Sequence, residues 1–130
     1  MLIDVRGLTH RIGDRVVLAA PDFALAPGEH MLLLGPSGSG KTTLINALAG
    51  LITPSGGQVD VDGQPMSRLP PAARDALRRR TLSVVFQTLR LLPALSVRQN
   101  LSLAQHLAHG RSHAAEAAAL IDQLGLAHRA

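Results

Sequence analysis

Cysteine is missing altogether from the 130 residues, which excludes a disulfide framework and any thiolate metal site. Aromatic rings are almost as scarce, with two phenylalanines and no tyrosine or tryptophan. Without rings there is no platform on which bases could stack, so no nucleic-acid partner is expected despite a net charge of +4. The arginines that cluster at Arg74, Arg78, Arg79 and Arg80 read instead as a solvated basic face. Apolar runs such as Met31–Leu34 and Val84–Phe86 fall far short of the roughly 20 residues a membrane span needs, so any membrane role must come through a partner. Asp4 and Arg6 lie within the first six residues with no long apolar run behind them, and a secretory signal is not expected.

Lysine is the most informative scarcity. Twelve of the thirteen basic residues are arginine, and the thirteenth is Lys41. Where charge alone is wanted this sequence uses arginine. A slim ammonium can enter a cradle of backbone atoms that a broad guanidinium fork cannot.

The apolar fraction of 46% is globular, and the length gives one domain or part of a larger one. Residues 1–34 read as a β-rich front. Strands are expected at Leu2–Val5 and Leu8–Ile12, with a Gly13-Asp14 turn and a return along Arg15–Ala19. Phe23–Ala26 is a further short strand, ended by Pro27-Gly28, and His30–Leu34 reads as a strand buried in a sheet. Residues 35–90 read as an α/β core. In it a helix over Lys41–Leu51 would place Leu44, Ile45, Leu48 and Leu51 on one face, followed by a strand at Gln58–Val61 and an Asp62-Gly63 turn. Pro70-Pro71 opens a helix to about Arg80, and Thr81–Phe86 reads as a second buried strand. Residues 91–130 read as helical. Ser96-Val-Arg-Gln99 matches a capping box for a helix to about His109, Gly110 breaks it, and Ser112 is expected to cap a last helix over Ala114–Leu124.

Between the strand expected at His30–Leu34 and the first helix lies Gly35-Pro-Ser-Gly-Ser-Gly-Lys-Thr42, a full match to G-x-x-x-x-G-K-[ST]. Gly35 permits the sharp exit from the strand, and Gly38 and Gly40 let bare backbone approach a phosphate chain. Successive N–H groups of Pro36-flanking Ser37, Gly38, Ser39 and Gly40 then form an anion nest at a helix N-terminus. In this arrangement Lys41 reaches the β- and γ-phosphates of ATP, the Thr42 hydroxyl ligates Mg²⁺, and Thr43 donates to the α-phosphate.

The residues around the loop narrow the class. Pro27-Gly-Glu29 turns into the segment ahead of the loop, and Asn46-Ala-Leu-Ala-Gly-Leu51 follows it. Thr53-Pro-Ser-Gly-Gly57, Val59-Asp-Val-Asp-Gly63, Val84-Val-Phe-Gln87, Leu91-Leu-Pro-Ala-Leu-Ser-Val97 and Asn100-Leu101 come in turn. In order and spacing these resemble the front half of an ABC-type transporter ATPase. Leu77-Arg-Arg-Arg80 together with Leu91–Val97 is most similar to the lipoprotein-release and macrolide-export branch. The resemblance implies an α/β phosphate-loop core with an N-terminal antiparallel β subdomain and the start of a helical subdomain, the C-terminal part of the domain being absent. It implies that Gln87 is the glutamine touching Mg²⁺ or the attacking water, with the segment behind it facing a membrane-spanning permease. It also implies a second ATP-binding subunit and a peripheral position on the cytoplasmic face of the plasma membrane.

Two departures stand out. The family stacks adenine on an aromatic in the segment matched by Leu8-Thr-His-Arg-Ile-Gly13, and here Ile12 takes that place. Ile12 could give apolar contact to the base or be an ordinary strand residue, and His10 or Arg11 could lean over the base instead. The sequence also holds no Leu-Ser-Gly-Gly-Gln signature and no apolar run ending in Asp-Glu, and Glu29 and Glu116 are its only glutamates. Phosphate gripping is therefore expected and water activation is not, which keeps open a non-hydrolytic ATP-binding fragment. A soluble ATPase of the same class acting on ribosomes or DNA is the further alternative. His106, His109 and His113 share a helical spacing, but Gly110 interrupts it and no carboxylate accompanies them, so a solvated face is expected there.

Overall fold

A computed structural model describes residues 1–88 and 91–129. Residue 90, where the α/β core is expected to give way to the helical part, lies outside them. The chain divides into two compact units, Met1–Ser83 and Val84–Ala130.

The first unit is organised around one long strand. β1 (Ile3–Ile12) pairs antiparallel with β2 (Arg15–Ala19), β3 (Phe23–Leu25) and β4 (Gly56–Val61). Ile3, Asp4 and Val5 face β3 on one edge and β4 on the other, while Thr9 faces Ala19 and Gly56 in the same way. A strand has only two edges, so β2 and β3 share one of them and the chain steps between the two at Ala20-Pro21-Asp22. Gly7 sits at the irregularity of β1 with φ 54, and its N–H donates to the Asp22 carboxylate at 2.6 Å. Gly57, at φ 82 on β4, lies so close to the carbonyls of Arg6 and Gly7 that a Cβ has no room.

Alternation along β4 buries Val59 and Val61 on one face, and the register shift between Arg6 and Thr9 of β1 brings Leu8 to the same face as Val5. Leu18 of β2 joins them. α1 (Lys41–Leu48) adds Leu44 and Ala47, the 3₁₀ turn Met66–Arg68 adds Met66, and α2 (Pro71–Thr81) adds Leu77. Each buried Val, Leu or Met side chain contributes on the order of 1.5–3 kcal/mol. Arg74 of α2 donates to Thr53 Oγ1 and the Leu69 carbonyl, and Arg78 pairs with Asp75 at 2.7 Å. Half of the expected solvated arginine cluster is therefore engaged in holding its own unit together.

The second unit contains α3 (Val97–His109) and α4 (Ala114–Gln123), which pack together, followed by a 3₁₀ turn at Ala127–Arg129. α3 begins with the expected capping box: Ser96 Oγ accepts from the Gln99 N–H while Gln99 Oε1 accepts from the Ser96 N–H. Gly110 ends it at φ 72. Ala117 and Ile121 of α4 are buried.

Four local expectations are corrected. His30–Leu34 carries no ladder, and Leu32 and Leu34 are 80% and 79% exposed. Thr81–Phe86 is not a strand either. Thr81 closes α2, with its hydroxyl donating to the Leu77 carbonyl, and Val85 is 89% exposed. Both segments have the apolar composition of a doubly covered strand, but pairing needs neighbours, and among the described residues no strand runs beside either. α1 stops at Leu48 rather than Leu51, because Ala49 caps it and Gly50 leaves the helix at φ 66, so Ile45 and Leu51 stay exposed while Ala47 is buried. The last helix is capped by His113, not Ser112, and without a side-chain bond; the His113 N–H is taken by Gln105 Oε1 of α3.

Candidate functional site

The loop Gly35–Gly40 joins the unpaired segment Met31–Leu34 to α1. Gly40 is the N-cap of α1, in the left-handed region at φ 88, where any other residue is strained. It also lies against β2: a Cβ there would meet the Val17 carbonyl at 2.7 Å and Leu18 Cδ1 at 3.2 Å. β2 thus fixes where the helix begins. No side chain caps α1 and no acidic residue occupies its first turn. The N–H groups of that turn have no partner within the helix and, with the helix's partial positive charge, are left for an anion.

Lys41, the first residue of α1, folds back over the loop. Its ammonium donates to the Gly35 carbonyl at 2.6 Å, the Pro36 carbonyl at 2.7 Å and Ser39 Oγ at 3.3 Å. The Ser39 N–H closes the turn onto the Pro36 carbonyl. Thr42 is exposed and Thr43 half-buried on the same first turn. One cation therefore gathers three oxygens at the mouth of a helix N-terminus. The residues from Gly35 to Thr43 meet in one place, as their contiguity requires. Beside them a cavity of about 250 Å³ is lined by residues including Leu18, Ala20, Pro21, Leu34 and Lys41.

The remaining site residues are placed as follows. Ile12 ends β1 opposite Arg15, at the tip of the hairpin, and is 67% exposed. Arg11 is occupied within that hairpin, donating from its guanidinium to the Asp14 carbonyl at 2.8 Å and from its N–H to Ser55 Oγ. His10 pairs with Leu18 and is half-buried, and its Nδ1 has no hydrogen-bond partner among the described residues. Gln87 belongs to the second unit, at an exposed bend that continues into Thr88. Glu29 serves the turn before the loop, its carboxylate accepting from the Ala26 N–H at 2.7 Å.

Sequence reasoning used Asn100 only as part of the family pattern and gave its side chain no role, whereas its Oδ1 accepts from the Leu92 N–H and its Nδ2 faces the carbonyls of Leu92, Leu95 and Ser96 ahead of and at the start of α3. The available signal was an asparagine in the second turn of a helix, where its own propensity is poor.

A glycine-built loop, a helix N-terminus without an acidic cap and a lysine folded over the carbonyls define a phosphate-loop nucleotide-binding domain. The model of the ABC transporter family matches residues 18–130, and the chain belongs to that family. Among curated relatives, the lipoprotein-releasing system ATP-binding protein LolD 1 of Rhodopirellula baltica is 43% identical over 117 residues, covering 88% of this chain and 51% of that protein. LolD of Pseudomonas fluorescens is 42% identical over 118 residues, with the same coverage. Among solved structures, the dimeric bacterial ABC transporter cassette MJ0796 superposes with a TM-score of 0.77 at 28% identity, over 88% of this chain and 52% of that one. Its post-hydrolysis state bound to ADP and Pi gives a TM-score of 0.80 at 24% identity, over 92% and 56%, and supports the fold. The matched structures bear out the expected class, the front part of an α/β phosphate-loop domain with an antiparallel β subdomain and the start of a helical part, although the strands expected at His30–Leu34 and Thr81–Phe86 carry no ladder. The chain spans about half the length of the relatives it matches.

Proposed function

We propose that this chain is the ATP-binding subunit of an ABC transporter, coupling ATP binding and hydrolysis to the movement of membrane-spanning partner subunits. The observation that carries the reading is Lys41, whose ammonium is held over Gly35 and Pro36 at the uncapped start of α1. This is where a terminal phosphate needs a point charge and a row of N–H donors. The glycines fit ATP because the backbone at Gly38 faces open space. Thr42 fits Mg²⁺, with its exposed hydroxyl one residue past the lysine, and Thr43 and Gln87 are assigned to the α-phosphate and to metal or water. Bound Mg²⁺ supplies neutralisation of the charge shared by the β- and γ-phosphates.

The two LolD relatives support a role in lipoprotein release, and the dimeric cassette supports pairing with a second ATP-binding subunit. Among the described residues no helix is long and apolar enough to cross a membrane. A peripheral position on the cytoplasmic face, held by the permease through the segment behind Gln87, follows from the reading.

Calorimetric titration of the purified chain with Mg-ATP tests the site. Binding by the wild type and its near loss in Lys41→Ala are expected, whereas equal affinity of the two would sink the assignment.

A further inference from the structure

The β1–β2 hairpin touches α1 at the start of the helix and is tied to the chain that leaves its end. At the start, Gly40, the N-cap of α1, lies against Val17 and Leu18 of β2. Leu18 pairs with His10 and Val16 with Arg11, so Val17 is the extra residue of the bulge, with no residue opposite it on β1. Its carbonyl is the one that a Cβ at Gly40 would meet at 2.7 Å.

Past the end of α1 the chain runs over Thr53–Ser55 into β4. β4 begins at Gly56, opposite Thr9, whereas β1 continues to Ile12. Ser55 serves that overhang with two bonds. Its N–H donates to the Thr9 carbonyl at 3.0 Å, and its Oγ accepts from the Arg11 N–H at 3.0 Å. A hydroxyl oxygen thus stands in for the ladder carbonyl that β4 does not reach far enough to supply, directly beside the His10/Arg11 register shift. Two contacts fix where Ser55 stands. Gly56 lies so close to Thr9 that a Cβ would meet the threonine Oγ1 at 2.7 Å, and Thr53 Oγ1 accepts from the Arg74 guanidinium of α2 at 2.7 Å. The β1–β4 ladder itself does not need the hydroxyl, since its pairs from Ile3 to Thr9 form without it.

We infer that Ser55 is a positioning residue for nucleotide binding. By taking the Arg11 N–H it holds the bulged part of the hairpin, and with it Val17, against the Gly40 cap, which keeps the N–H groups of the loop aimed at one point. The inference rests on the phosphate-loop reading above. A nest whose donors are held in place beforehand binds better than one the ligand must order, because the ordering cost is already met. The contact runs through the N-cap of α1, so its effect falls on the phosphates rather than on the nucleoside.

The test compares the wild type with Ser55→Ala and with Ser55→Thr, which keeps the acceptor oxygen. Mg-ATP and Mg-tripolyphosphate are titrated calorimetrically into each. Both ligands are expected to bind Ser55→Ala about fivefold more weakly and Ser55→Thr within twofold of the wild type. A second readout needs no ligand. The chain has no cysteine, so Asp14→Cys gives a unique thiol for a nitroxide label in the hairpin turn. The label is expected to be more mobile once Ser55→Ala is added and restrained again with Ser55→Thr. Undiminished binding of both ligands by Ser55→Ala overturns the inference, as does an equal loss in Ser55→Thr, which would make the acceptor irrelevant. Weaker Mg-ATP with unchanged Mg-tripolyphosphate assigns Ser55 to the nucleoside and overturns the path through Gly40. Equal label mobility in all three chains overturns the tie itself. General unfolding of Ser55→Ala, read by circular dichroism, makes Ser55 a stability residue and likewise overturns the inference. No binding of either ligand by the wild type, with the mobility difference intact, refutes the phosphate-loop reading and the binding role together while showing that the tie exists.

Discussion

Lys41→Arg separates charge from shape at the phosphate loop. The single Nζ of Lys41 lies 2.6, 2.7 and 3.3 Å from three oxygens, and a tetrahedral ammonium can aim one N–H at each. A guanidinium keeps the charge, but its donors lie in one plane on a wider head, so it cannot sit between the Gly35 and Pro36 carbonyls. Hydrogen bonds to charged groups contribute about 1.5–3 kcal/mol, and less where water competes. At this exposed loop, losing the two short ones costs roughly 1–2 kcal/mol. The same misplacement removes the point charge from the β- and γ-phosphates, so Mg-ATP affinity is expected to fall about 10- to 100-fold, each tenfold being about 1.4 kcal/mol. AMP, which lacks both phosphates, serves as the control and should bind the two chains alike. Calorimetry with both nucleotides, after circular dichroism has confirmed the fold, makes the comparison. Mg-ATP affinity within twofold of wild type would refute the geometric account and leave only charge.

Ile12→Tyr should tighten Mg-ATP by about 1 kcal/mol, because the exposed tip of β1 would gain a stacking face. Unchanged affinity in the same titration would make Ile12 an ordinary strand residue. Gly57→Ala should destabilise the chain by about 2–4 kcal/mol, from a positive φ and a Cβ driven against the carbonyls of Arg6 and Gly7. Urea unfolding measures this, and a shift under 1 kcal/mol contradicts the close approach. The 130-residue chain by itself should bind Mg-ATP without turning it over, since the Gln87 amide cannot usefully accept a proton from water. It should also be marginally stable, with Leu32, Leu34 and Val85 uncovered. Magnesium-dependent hydrolysis well above a Lys41→Ala control, with a cooperative monomeric melt, runs against both.

Much of the site was legible without coordinates, because its parts are contiguous. Gly35–Thr43 needs only its own glycines, one lysine and the helix it opens, and all of these interact within a few residues. The capping box at Ser96 and Gln99 was legible for the same reason, as were the turns at Gly13-Asp14 and Asp62-Gly63. The β1–β2 hairpin followed from alternation and a turn signal. Its bulge at His10/Arg11 did not, because register depends on both partners.

The sequence by itself determined the order of the parts along the chain: a glycine-rich loop, the lysine that follows it and the helix that this lysine opens. Tertiary structure decided what those residues lean on. It set Gly40 against β2, took Arg74 out of the basic face to bridge Thr53 and Leu69, and turned Asn100 into a clamp on Leu92 and Leu95. It also left Met31–Leu34 and Ser83–Phe86 without ladders, although their composition suits buried strands. The physical reason is one of range. A turn, a cap or a glycine-built nest is closed by neighbours in sequence, whereas a strand exists only beside another strand, and composition cannot say whether one is there.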